Sequence, residues 1–220
     1  MGSRIMHLIV GMRVADSLAI EKKAPFLLGN IAPDAVFSPE DKTASHFYAG
    51  EIKDFTRYID HEGFLKKYRT EAINKNQYVL GYYSHLITDN IWLKGFNLPW
   101  LRNRMEADEA LYQLYHQDFR LLNGKLLEYY LFTDELRKTL SDSPEIIDLD
   151  EVKSADVVQF LPYVLGDMEY DPKNLDEELK VFTFNQIVGY IETAVEVTLW
   201  KMEELLSGKV TGCKHVTFEQ

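Results

Sequence analysis

The chain has 220 residues, of which 46% are hydrophobic and 27% charged, and its formal net charge is −11. This length and mixture suit a soluble globular protein with ample material for a core. The acidic balance argues against a general nucleic-acid binder, which carries a basic stripe, and against adsorption to anionic membranes.

A phosphate-containing substrate stays open, because a bound metal reverses the local sign. Cys213 is the single cysteine, so no internal disulfide can form and a reducing compartment fits. No apolar run approaches the ~18 residues of a membrane span. The N-terminal stretch shows no secretory pattern. A cytoplasmic protein without stable membrane association is expected.

In chain order, residues 4–20 read as a helix with His7, Val10, Val14 and Leu18 on one face and Gly11 beside them. His7 is therefore a core histidine or a ligand. Residues 25–39, PFLLGNIAPDAVFSP, read as a buried, turn-rich connection, because three prolines and Gly29 interrupt it. Asp34 within it is a turn aspartate or a ligand on rigid backbone. His46 follows in Ser45-His46-Phe47, as a loop histidine or a ligand. Residues 62–74 suit a surface helix, and the neighbouring Asp60 and His61 read as solvated among charges.

Residues 79–92, VLGYYSHLITDNIW, set His85 and Asp89 four apart, one turn apart on one helical face. The rest of that face is apolar: Tyr78, Tyr82, Leu86 and, near its edge, Trp92. A buried imidazole and carboxylate need satisfying, by a metal or by each other. Gly95 to Pro99 is expected to end this helix and turn the chain.

Residues 104–132 continue the helical pattern. Asp118 lies inside its leucine stripe, needing a metal, an arginine or a tyrosine hydroxyl as partner. An acidic loop at 141–150, a helix near 152–166 and a final helix over 176–206 complete the pattern. No alternating strand or internal repeat is evident. The expected fold is an all-α multi-helix bundle with irregular connections, one domain over 1–206 and a polar tail over 207–220.

His7, Asp34, His46, His85 and Asp89 form a nitrogen and carboxylate donor set without cysteine, suited to zinc or another divalent transition metal. On these residues, in the motifs GNIAPD, SHF and HLITD, the chain resembles the bacterial zinc-dependent phospholipase C family and its wider kin, the zinc-dependent single-strand nucleases. The likeness covers about residues 4–118. It implies an all-α fold that hydrolyses phosphodiester bonds with a metal cluster. It also implies that Asp34, His46, His85 and Asp89 surround one ion, and that His7 with Asp89 helps hold a second.

Two departures limit the implied cluster. The secreted enzymes use the amino group of a processed N-terminal tryptophan, where this chain begins Met1-Gly2-Ser3. A later histidine and an H-x-x-x-E motif are missing. The nearest local match, His116 to Arg120, ends in arginine, which repels a metal. One or two zinc ions are expected, with Asp118 as an extra candidate ligand.

The expected function is a metal-dependent hydrolase of a small phosphorylated substrate, with Asp34 bridging metals or accepting the proton of water. The alternative is a non-catalytic member of the same fold with a structural or vestigial metal. A phosphohydrolase built on an adjacent His-Asp pair fits poorly, since Asp60-His61 is reversed. A serine hydrolase lacks its G-x-S-x-G turn.

Overall fold

The computed structural model describes residues 3–142, 144 and 146–207. Helix α1 (Arg4–Ser17) begins where Ser3 Oγ accepts from the Met6 amide. The expected turn-rich connection is instead helix α2 (Lys23–Ile31), followed by a 3-10 turn at Ala32–Asp34. Pro25 is harmless there because it lies in the first turn, whose N–H groups have no intrahelical partner in any case. Helix α3 (Pro39–Ser45) leads to a hairpin of β1 (Tyr48–Ala49) and β2 (Tyr58–Ile59), antiparallel, with Tyr48 opposite Ile59. Strands this short leave no alternating pattern to read.

Tyr68 splits the surface helix expected at 62–74 into α4 (His61–Lys67) and α5 (Arg69–Ile73). Asp60 and His61 are not simply solvated. Asp60 caps α4 by accepting from the Gly63 amide, and the His61 ring meets Tyr83 edge-on with its side chain only 12% exposed.

Helix α6 (Gln77–Trp92) carries His85 and Asp89. It does not stop at Gly95. The chain runs on through nine π-helical residues, Leu93–Leu101, into α7 (Arg102–Ala107). Asp108 separates these from α8 (Glu109–Tyr130), which ends at Leu131 in a left-handed conformation, φ 58°. Helix α9 (Thr133–Ser141) was not anticipated. Then come α10 (Ser154–Gly166), a 3-10 turn at Pro172–Leu175 and α11 (Phe184–Leu206), capped by Thr183. The polar tail beyond Ser207, with Cys213, lies outside the described residues.

The result is an all-α fold with one small hairpin. A single connected core takes side chains from α1 through α11. At its centre α6 is buried on nearly every side. Its most extensive partner is α2. Two glycines permit that approach: a Cβ on Gly81 would sit 1.9 Å from the Phe26 carbonyl, and one on Gly29 would sit 2.0 Å from that of Tyr78. Helix α11 packs on both α1 and α6. Among the described residues, no helix is long and apolar enough to cross a membrane.

Candidate metal centre

Four segments meet around Asp89. Helix α6 supplies His85 and Asp89, α1 supplies His7, the 3-10 turn supplies Asp34, and His46 stands at the end of α3. His7, His46, His85 and Asp89 are fully buried, while the Asp34 side chain is 12% exposed. Solvent therefore reaches the cluster from the Asp34 side, where Lys42 Nζ lies 3.4 Å from Asp34 Oδ1.

The separations are specific. His46 Nε2 is 3.4 Å from Asp89 Oδ2, 3.5 Å from Asp34 Oδ1 and 3.4 Å from His85 Nε2. His85 Nε2 is 3.5 Å from the same Asp89 Oδ2. For metal–ligand bonds near 2.0–2.1 Å, the edge of a tetrahedron is roughly 3.3 Å. His46 Nε2, His85 Nε2 and Asp89 Oδ2 are thus mutually spaced like donors around one small cation, and Asp34 Oδ1 stands at the same distance from His46 Nε2. On the other side, His7 Nε2 lies 3.2 Å from Asp89 Oδ1, and the His7 ring stacks on His85 at 3.9 Å. Two groups of ligand atoms could each hold a metal ion: Asp34, His46 and His85, and His7, His85 and Asp89.

The outer hydrogen bonds fix which ring nitrogen faces inward. His85 Nδ1 is 2.8 Å from the Asn30 carbonyl, and His46 Nδ1 is 3.0 Å from the Lys42 carbonyl. A carbonyl only accepts, so each Nδ1 carries the proton and donates. In the neutral rings both Nε2 atoms then present lone pairs to one another and to the carboxylates. Metal-bound histidines are oriented by the same kind of outer partner. Ser45 Oγ, 3.0 Å from His46 Nδ1, and the Tyr82 hydroxyl, donating to the Ser45 carbonyl at 2.6 Å, hold this arrangement further. His7 differs: neither ring nitrogen has a properly aligned hydrogen bond among the described residues, and its approach to Asp89 is one of distance alone.

The charge state matches. Burial, reinforced by His85, lowers the His7 pKa to about 4, and burial likewise holds His46 below its ordinary value. For Asp34, burial pushes upward but the contacts with His46 and His85 outweigh it. For Asp89, burial is outweighed by the surrounding positive charge, to which His85 and His7 contribute. Both carboxyls sit well below the usual carboxylate range. At pH 7 the cluster offers ionised carboxylates and, in His7 and His46, neutral imidazoles, the forms that ligate metals.

Five of the six residues proposed from sequence come together. Asp118 does not join them. Its Oδ1 accepts from the Lys180 amide at 2.8 Å, and its Oδ2 accepts from Val181 at 2.7 Å and Phe182 at 3.0 Å. Asp118 ties down the backbone ahead of α11, which explains its burial without a metal. The partner foreseen for it, an arginine or tyrosine hydroxyl, is replaced by backbone amides. Gly11 lets α1 approach α2, where a Cβ would meet Asn30 and Leu27. The orienting carbonyls of Asn30 and Lys42 were not anticipated.

No protein-family model, no curated protein and no solved structure matches this chain. The likeness to the zinc-dependent phospholipase C family rests on the residues quoted above.

Proposed function

We propose that this protein is a zinc-dependent hydrolase of small phosphate esters. The observation that carries the reading is the convergence of the Nε2 atoms of His46 and His85 on Asp89 Oδ2, all three mutually at tetrahedral-edge spacing, with Asp34 Oδ1 3.5 Å from His46 Nε2. Beside it, neither ring nitrogen of the fully buried His7 has a hydrogen-bond partner among the described residues, a cost that a bound cation would remove. Oxygen and nitrogen donors without cysteine suit zinc. Asp34, His46, His85 and Asp89 would hold one ion, and His7 with Asp89 Oδ1 would contribute to a second. His85 has one free nitrogen, because its Nδ1 is committed to Asn30, so Asp89 is the residue able to bridge. When bound, zinc acidifies water and polarises phosphoryl oxygens.

The chain's own residues do the rest. Asp34, ionised and the only member reached by solvent, accepts the proton of the attacking water. Lys42, beside it and half exposed, meets the anionic substrate at the entrance. The Asn30 and Lys42 carbonyls keep the histidine rings from turning. The net charge of −11 favours a small phosphorylated substrate over a nucleic acid, and a single cysteine accords with a cytoplasmic setting.

The full burial of four of the five donors favours a second reading, a structural ion in a non-catalytic protein. One experiment separates them. Protein purified without added metal is analysed for metal content, the ion is located by anomalous scattering, and hydrolysis of bis(4-nitrophenyl) phosphate is followed before and after chelation. The hydrolase reading expects zinc at the cluster and turnover that chelation abolishes and zinc restores. Zinc without turnover supports the structural reading, and no metal at the cluster sinks both.

A further inference from the structure

A second feature adjoins the cluster. The β1–β2 hairpin, the π-helical segment and α7 enclose a cleft of about 430 Å³, lined by Tyr48, Ile52, Arg57, Asn97, Leu98 and Arg102 among others. Its size is that of a small-ligand site. Tyr48 stands between it and the candidate metal centre: the Tyr48 ring lies parallel to that of His46 at 5.5 Å, and the Arg57 guanidinium sits 4.0 Å from the Tyr48 centroid. The guanidinium is therefore no farther from the His46 ring than those two separations together.

The two arginines of the cleft are not equivalent. Arg102 is spoken for, because it donates to Glu106 and to the Ile52 carbonyl, which fixes the hairpin loop against α7. Arg57 forms no hydrogen bond or ion pair among the described residues, and its guanidinium lies over the Tyr48 ring. A guanidinium carries its charge at all ordinary pH values and forms a fork suited to carboxylate or phosphate. In a chain of net charge −11, and in a cleft whose one carboxylate, Glu106, is paired with Arg102, the guanidinium of Arg57 is placed to meet an anion. The loop that presents it is built for one shape: Gly50 has φ +70°, and a Cβ there would lie 2.2 Å from the Thr56 carbonyl. The π-helix opposite turns Leu93, Asn97 and Leu98 into the cleft, and such segments recur at functional sites.

Building on the phosphate-ester reading, we infer that this cleft receives the organic part of the substrate, an apolar body bearing a second anionic group that pairs with Arg57. A cationic organic part would be turned away by the same charge.

The test uses two matched probes, phenyl phosphate and 4-carboxyphenyl phosphate, titrated calorimetrically into zinc-loaded protein. The expected result is about tenfold tighter binding of the carboxylated probe, the size of one charge-assisted hydrogen bond. The Arg57→Gln variant should bind the two alike while keeping its zinc content and melting temperature, and Arg57→Lys should keep part of the preference. Equal binding of both probes by the native protein overturns the inference and leaves the metal reading standing, as does a preference that survives in Arg57→Gln. If zinc is bound and neither probe binds, the phosphate-ester reading falls and takes this inference with it.

Discussion

At the scale of single residues, Asp89 is the pivot, since one oxygen faces His46 and His85 and the other faces His7. On the proposed reading, Asp89→Ala and His85→Ala should each reduce bound metal by at least about tenfold, measured by metal analysis after dialysis. His7→Gln should remove or weaken only the second ion, leaving the fold largely intact, whereas unchanged stoichiometry would take His7 out of the site. His61→Gln should leave metal content untouched and reveal itself in acid instead. Burial, aided by Lys201, lowers the His61 pKa to about 4. The folded protein keeps that ring neutral while the unfolded chain protonates it near 6.5, so its contribution is complete above about pH 6.5. It is lost as pH falls from there to about 4, at most about 3 kcal/mol. The difference in denaturation free energy between native protein and His61→Gln, followed over that range, should shrink accordingly; a pH-independent difference would contradict it. The i, i+4 pairing of His85 with Asp89 was legible in the sequence because helical spacing dictates it. The carbonyls of Asn30 and Lys42 were not, because any residue supplies a carbonyl and only the fold aims it.

At the scale of elements, the crossing of α2 and α6 decides whether the centre exists. Asn30 lies on α2, where its carbonyl orients His85 and its Nδ2 donates to the Gly81 carbonyl at 3.3 Å. Gly81→Ala would drive a methyl into the Phe26 carbonyl and push the helices apart. The expected cost is about 3 kcal/mol, at the upper end for overpacking, with a loss of zinc affinity because His85 loses its orienting partner. Thermal melting of the metal-free variant and a zinc titration report the two effects separately; an unchanged affinity would show that the α2–α6 spacing does not govern the ligand geometry. Helix α6 itself was readable, with its run of tyrosines and leucines around the polar pair. Helix α2 was hidden by Pro25, since a proline breaks a helix in its interior but not in its first turn. The π-helix after Trp92 was hidden for the opposite reason: Gly95 and Pro99 are ordinary stop signals, and aromatic packing of Phe96 on Trp92 at 4.5 Å carries the chain past them.

At the scale of the whole molecule, the second half of the chain braces the first. Helix α11 packs on α1 and α6, the two helices that carry His7, His85 and Asp89. Arg13 of α1 pairs with Glu192 of α11, and the Tyr190 hydroxyl donates to the Thr88 carbonyl one residue before Asp89. The start of α11 is held in turn by Asp118 of α8, through the amides of residues 180–182. In sequence a buried aspartate near a histidine looked like a spare ligand, because backbone donors from a loop some sixty residues away leave no pattern. The two roles predict different failures. A ligand lost at position 118 would lower metal content and spare stability. A clasp lost there would leave three amides, two of them buried, without their acceptor, so Asp118→Ala should cost about 3 kcal/mol. Asp118→Asn should cost nearly as much, because turning either oxygen to an amide sets a donor against a donor. Metal content per folded molecule should stay at the native value in both. Denaturant unfolding and metal analysis on the same samples decide the matter, and a stable, zinc-depleted Asp118→Asn would return Asp118 to the metal site.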